Sequence, residues 1–379
     1  MGWNSVIGQH TIVRLLQQAT AAKRLPHALL LRGSDGYGTL ATSIALARVI
    51  TCETPLVEGG IDACGHCHSC VQNATLQHPN VSIVTALPPG KAENESELPQ
   101  DVIDELSHNL RTISADPYAQ FALSGATQIR IGQIREIKRQ LSMSSMQDGK
   151  RVVIIHRVET MTVEAANAFL KTLEEPHADT HLILTAESAE RLLPTILSRC
   201  QQLTIPPIDD DDIVATLVTE GVHSQDAALV TPFAKGNLTV ARAYAREDVQ
   251  TERAEAIALL RAALKGREFR VSLVEAVSNA ADKKDRAKAI LIISMLTLWI
   301  RDSQAVQALG SNATLINHDH RDAITRFVDS FKTVDLGVAL DILDRGIRDI
   351  RRNVTVSSVL LSTLLELRQH LYASVTRAA

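Results

Sequence analysis

Over about the first two hundred residues, short apolar runs alternate with stretches whose apolar positions recur every three to four residues. The runs 28–31 (ALLL), 78–84 (HPNVSIV, with its Pro turn), 152–155 (VVII), 180–185 (THLILT) and 202–205 (QLTI) read as strands. The run 152–155, flanked by Arg151 and His156, is apolar throughout, which suits a parallel strand buried on both faces. Between the runs, residues 5–24 put Ile12, Leu15, Leu16 and Ala19 on one helical face. Residues 41–50, 101–113, 163–173 and 192–198 also read as helices, as does the stretch with Ile134, Ile137 and Leu141. Pro176 is the expected stop for the helix 163–173. Strands alternating with helices predict a parallel α/β sheet. The polar segment 88–125 opens with Pro88, Pro89, Gly90 and an acidic stretch, Glu93 to Glu97, and that opening reads as a loop ahead of the helix 101–113.

The pattern changes at Pro206-Pro207 and the acidic run 209–212, since a double proline cannot continue a central strand. Beyond it the spacing is helical: 211–220, 225–234 and 238–246 form a small unit, and 251–379 offers roughly five more helices. These include 253–265, 286–300, 336–352 and 357–372. The predicted domains are therefore 1–206, 207–250 and 251–379. The apolar run 289–300 is too short to span a bilayer and reads as a buried helix.

Composition narrows the function classes. The 379 residues are 45% hydrophobic and 22% charged, with net charge −4, so no overall field draws nucleic acid. Aromatics at 3% argue against base-stacking platforms. Residues 1–6 lack the layout of a signal peptide, and Val6 breaks the N-acylation pattern, so the expected location is cytoplasmic.

Two clusters carry chemistry. Gly33, Gly36 and Gly38 sit between the strand 28–31 and the helix 41–50, the setting of a phosphate-cradling loop. The two positions that should be Lys and Ser/Thr are Thr39 and Leu40, which offer no charge and no Mg²⁺ ligand. Strand 152–155 ends in His156-Arg157 where an ATPase needs two carboxylates, and Glu159 falls past the strand end. The glycines are either an ordinary turn or the remnant of an ATP site. The second cluster is Cys52-x11-Cys64-x2-Cys67-x2-Cys70, whose four thiolates can close a tetrahedral structural zinc site. His66 and His68 alternate with the cysteines and are expected to point away.

The stretch Asn167-Ala-Phe-Leu-Lys-Thr-Leu-Glu-Glu-Pro176, the strand 180–185 and Ser198-Arg199-Cys200 follow one another in an order that resembles the AAA+ subunits of the bacterial DNA polymerase III clamp loader, most closely the delta-prime family. Val6 to Gln9 and Arg24 to Ala28 extend the resemblance, which covers about 5–245 by motif, with a weak echo from Asn353 to Leu361. It implies an AAA+ domain with a zinc module at 52–70, then a helical lid and an all-α collar. It also implies that Arg199 reaches in trans, as an arginine finger, to ATP on a neighbouring subunit. Thr185 takes the sensor-strand position and reads as a plain strand residue, while Cys200 reads as packing. Gly236-Asn237-Leu238-Thr239 replaces the sensor-arginine turn of the ATPase relatives. The implied partners are the tau/gamma motor subunits and delta, with the sliding clamp and primed DNA reached through the complex. ATP binding and intrinsic ATPase activity by this chain are not expected. The family's first cysteine spacer is usually eight residues, so the spacing here is three longer. Two rivals stay open: an active, tau/gamma-like ATPase, and a stand-alone zinc-dependent nucleic-acid-binding protein. Arg345, Arg348 and Arg352 fall on one late helix face that reads as solvated; with Arg351 nearby, the alternative is phosphate contact.

Overall fold

The computed structural model describes residues 2–89, 98–143, 149–175, 177–246, 249–266, 268–280, 286–352 and 354–376. The acidic stretch 93–97, the helix stop at Pro176 and Asn353 lie outside these. The chain forms two units, Met1–Thr216 with Ala234–Val240, and Leu217–Phe233 with Ala241–Ala379.

The first unit is built on five parallel strands: β1 (Ala28–Arg32), β2 (Val81–Val84), β3 (Arg151–Ile155), β4 (Thr180–Ala186) and β5 (Gln201–Thr204). Their order across the sheet is β2-β3-β4-β1-β5, with every neighbouring pair parallel. Alternation along each strand sends successive side chains to opposite faces. Leu29, Leu31, Val152, Ile154 and Ile183 join one core. Ala28, Leu30, Val153, Ile155, Leu182 and Leu184 join the other. Full burial of a Leu or Ile is worth about 1.5–3 kcal/mol, so these rows drive assembly of the sheet. Edge strand β5 keeps Gln201 and Gln202 exposed, which discourages pairing with another chain.

Helices α1 (His10–Ala21), α2 (Thr39–Thr51), α3 (His68–Ala74), α4 (Gln100–Ala115), α5 (Ile131–Ser142), α6 (Val163–Glu174) and α7 (Pro194–Leu197) complete this layer. In α1, Ile12 and Leu16 are buried, but Leu15 is exposed, so the apolar face is narrower than its spacing suggested. In α5, Ile134, Ile137 and Leu141 are buried as their spacing predicts. Thr162 caps α6, its hydroxyl accepting from Ala165 N. Phe169 on α6 is the largest fully buried side chain.

Helices α8 (Asp210–Thr219), α9 (Ser224–Ala234) and α10 (Leu238–Arg246) follow the acidic run. The remaining helices are α11 (Val249–Leu264), α12 (Phe269–Ala280), α13 (Arg286–Leu309), α14 (Arg321–Ser330), α15 (Leu336–Arg351) and α16 (Val356–Thr376). The expected run of roughly five is thus six among the described residues. In α12 the exposed Val271 and Val274 blur the periodicity that Leu273, Val277 and Ala280 would otherwise show. By length and composition alone α13 could cross a membrane, but 72% of its apolar window is buried inside the protein. Its neighbours approach closely at Gly346 of α15, where a Cβ would meet Thr363 Oγ1 at 2.7 Å and Ile293 at 3.4 Å. Asp302 of α13, also buried, accepts from Ile316 N, Asn317 N and Asn317 Nδ2, which pins the loop before α14.

Candidate functional site

The glycine loop leaves β1 and enters α2 as the sequence predicted, with Gly33 N donating to Ala186 O at 2.9 Å. Gly38 takes φ +99°, a conformation few other residues tolerate, and sets the first turn of α2. From there every residue of α2 is buried. Leu40 packs in the core with Ile44 and Ile50, so a methyl cluster fills the position that would hold the Mg²⁺ hydroxyl. Thr39 is fully buried and its Oγ1 has no hydrogen-bond partner among the described residues.

The cradle itself is occupied by the chain's own side chains. A Cβ on Gly38 would come within 2.6 Å of the Tyr118 hydroxyl, which accepts from Ile7 N at 2.8 Å. A Cβ on Gly36 would collide with the amide of Asn237. That amide donates to Ser34 Oγ at 3.0 Å and accepts from Val240 N. Buried Gln9 donates to Tyr37 O at 3.0 Å and to Pro206 O at 2.8 Å, tying the loop to the end of the sheet. Polar contacts from Gln9 and Asn237, two stretches far apart in the chain, thus hold the loop, with Tyr118 packed against Gly38.

The end of β3 departs equally from an ATPase. His156 is buried, with Nδ1 3.1 Å from Thr185 Oγ1 and Nε2 3.8 Å from Asp35 Oδ2. Burial, reinforced by the Arg157 charge and opposed by Glu187, pushes its pKa down to about 3, so it is neutral at physiological pH. Thr185 Oγ1 accepts from Arg157 N at 3.0 Å. We assign its hydroxyl proton to His156 Nδ1, which leaves the ring proton on Nε2, facing Asp35. Thr185, a strand residue of β4, also fixes the His156-Arg157 turn, where Arg157 takes a left-handed φ of 56°. Asp35 keeps 41% of its side-chain surface, yet the protein packed round it pushes its carboxyl pKa up, with Arg157 opposing. Glu159, in a single turn past the strand end, accepts from Glu187 N and lies 3.8 Å from Arg157 Nε. An anionic phosphate here would face Asp35 and a neutral imidazole, with no lysine. Tyr118 and Asn237 carried no clear signal of this role; the one signal available was Asp35, a negative charge inside a glycine loop of the phosphate-cradling type.

The four cysteines converge. The Sγ atoms of Cys52, Cys64, Cys67 and Cys70 all lie within 4.8 Å of one another, with separations of 3.9 Å (52–67), 3.8 Å (64–70) and 3.6 Å (52–70). Four thiolates about 2.3 Å from one ion form a tetrahedron with edges of about 3.8 Å. The donor set therefore fits a metal ion such as zinc. Backbone N–H groups point at the sulfurs: Cys64 N at Cys52, Cys67 N at Cys64, and Cys70 N at Cys67. The Thr54 hydroxyl adds a donor to Cys64 at 3.3 Å. Such donors favour the thiolate form that a metal requires. Cys52 directly follows α2, so the longer first spacer costs nothing in geometry. His66 turns its ring to Cys64 O, and His68 opens α3; neither joins the cluster.

Arg199 follows α7, its side chain one-third exposed. Its guanidinium donates from Nε and Nη2 to Glu174 Oε1 at 2.8 and 2.5 Å, and from Nη1 to Thr195 O at 3.0 Å. Cys200 is buried in the core beside Phe169 and Ile196, where burial pushes its thiol up to about 11, as packing requires. Arg345, Arg348 and Arg352 are exposed, with Arg345 paired to Glu366 at 3.0 Å.

A family model described as "DNA polymerase III, delta subunit" matches residues 8–209, more than half of the chain. The chain belongs to this family. Within it the delta-prime chains are similar: that of Bacillus subtilis is 27% identical over 82% of this chain and 81% of its own length. The Escherichia coli delta-prime chain is 32% identical over 55% of this chain and 51% of its own length, so the match spans about half of that relative. The tau subunit of B. subtilis is 25% identical over 57% of this chain and 31% of its own length. A delta-prime chain related to tau and gamma is what the P-loop remnant, the four cysteines and the Ser198-Arg199-Cys200 order led to.

The buried imidazole makes stability pH-dependent. His156 is held neutral down to about pH 3, whereas in the unfolded chain it protonates near 6.5. Between those values the unfolded state binds more protons, so stability rises with pH and is lost as pH falls from 6.5 towards 3. The contribution is on the order of 5 kcal/mol over the whole window. Denaturant unfolding at a series of pH values should show a shallower acid loss in His156→Gln than in the parent. An identical slope would remove His156 as its source.

Proposed function

We propose that this chain is the non-catalytic delta-prime subunit of a DNA polymerase III clamp loader, acting in the cytoplasm. It joins the tau/gamma ATPase subunits and delta, and the assembly loads the sliding clamp onto primed DNA. The supporting observation is the filled cradle. Tyr118 and Asn237 stand against the loop glycines, Thr39 replaces the lysine, and His156-Arg157 replaces the acidic pair. A subunit of this kind contributes structure and reach, not hydrolysis. In this reading 1–206 is the AAA+ domain, 207–250 its lid, and 251–379 the collar that packs with its counterparts.

Arg199 is the group that reaches. A guanidinium offers a planar fork of donors to the charge that develops on a transferring phosphoryl group, and such fingers are worth roughly 10³–10⁵ in rate. The Cys52, Cys64, Cys67 and Cys70 tetrad holds a structural zinc ion, which ties the end of α2 to α3 and supplies cross-linking but no chemistry.

Three measurements test this reading. In the reconstituted loader, Arg199→Ala should lower ATP turnover at the adjacent site by at least about tenfold; an unchanged rate ends the finger assignment. Elemental analysis of the purified protein should find about one equivalent of zinc, lost in Cys64→Ser; its absence without chelator exposure removes the metal. Equilibrium titration of the isolated chain with Mg-ATP should show no saturable binding to about 1 mM. Micromolar binding would instead reopen the reading as an active ATPase.

A further inference from the structure

The finger reading leaves one contact unexplained. Arg199 is not free on the surface: Glu174, the last residue of α6, holds it through a single carboxylate oxygen. A guanidinium has five N–H donors. Nε and one Nη2 hydrogen go to Glu174, and Nη1 is directed at Thr195 O and at Ser198 Oγ, 3.2 Å away. The two edges of the arginine therefore have different keepers. Thr195 and Ser198 lie within one turn of Arg199 and fix the direction of its side chain. Glu174 comes from another helix and covers the Nε–Nη2 edge, one of the two-donor forks that match a phosphate. It is also an anion, so an approaching triphosphate meets a neutralised arginine beside a like charge.

We propose that Glu174 is a competing carboxylate that restrains Arg199, and that engagement with ATP on a neighbouring subunit exchanges Glu174 for phosphate oxygens on the Nε–Nη2 edge. This inference rests on the reading of Arg199 as a finger. The exchange needs no rearrangement of the backbone, since the Nη1 contacts with Thr195 and Ser198 persist while the other edge changes partner. Arg199 is one-third exposed and Glu174 well exposed at 47%, so the carboxylate can swing into water. Exposed pairs of this type shift equilibria by about 1.4- to 5-fold, enough to bias engagement without preventing it.

The test is ATP turnover against ATP concentration in the loader reconstituted with its ATPase subunits. It compares the parent, Glu174→Gln, Arg199→Ala and the double variant. Glutamine keeps the shape and an acceptor for Nε but removes the charge. Glu174→Gln should lower the KM for ATP about 2- to 5-fold at unchanged kcat. The double variant should match Arg199→Ala. A KM that stays the same or rises overturns the proposal. So does an effect of Glu174→Gln that persists when Arg199 is alanine, because Glu174 would then act on the fold and not through the guanidinium. If Arg199→Ala alone is silent, it is the finger reading that fails, and that outcome is distinct from the others.

Discussion

The enclosure of α2 is the constraint on which the first unit depends. A helix with all thirteen residues buried has no face left for water, so its first turn must be satisfied by protein or by a ligand. In a working P-loop the lysine at position 39 would be a buried charge, tolerable because a phosphate neutralises it. Remove the phosphate and that lysine becomes a liability. Thr39, fully buried, and Leu40, packed in the core, place no charge there that a phosphate would have to neutralise. His156 is neutral as well, because a buried imidazolium would need a counter-ion that Asp35, 3.8 Å away with its own pKa raised, supplies poorly.

The other end of the same helix carries the cysteine cluster. Cys52 is the residue at which α2 stops, and Cys67 caps α3 by accepting from Cys70 N. Two helices and the loop between them thus share one set of four sulfurs. Asn73 of α3 donates to Thr51 of α2 at 2.8 Å, so the helices are also joined directly.

Much of this was legible in the residues. Four of the five strands lie within a residue of their predicted runs and β2 begins three residues later than its run, while the cysteine spacing located its cluster even with a first spacer three residues longer than the family's. The degenerate loop and the broken acidic pair were visible as missing residue types. What was not legible is what took their place. Tyr118 belongs to a polar stretch with no periodic signal, and Asn237 was notable only for not being arginine. Their meeting at the glycines is a product of tertiary closure, which local pattern does not encode. Thr185 lies in its strand as read, but its bond to the neighbouring turn was not legible, because a strand threonine shows nothing of the turn it bonds. Helix α12 was not legible because tertiary burial, not a wide apolar stripe, secures it, whereas α14 does carry Ile324, Phe327 and Val328 on one helical face.

The filled glycine loop also has a consequence for how the chain reaches its native state. Its contacts join residues far apart in sequence: Ile7 with Tyr118 across 111 positions, and Ser34 with Asn237 across 203. Such pairings carry high contact order and form late, after the entropy of closing long loops has been overcome. During synthesis the loop emerges among the first fifty residues yet must wait for position 237 before its last contact can form. A relative that binds nucleotide could order the same loop from solution. Here contacts from the polypeptide hold the loop, and the N-terminal strand and helix stay incompletely sealed until those contacts can form.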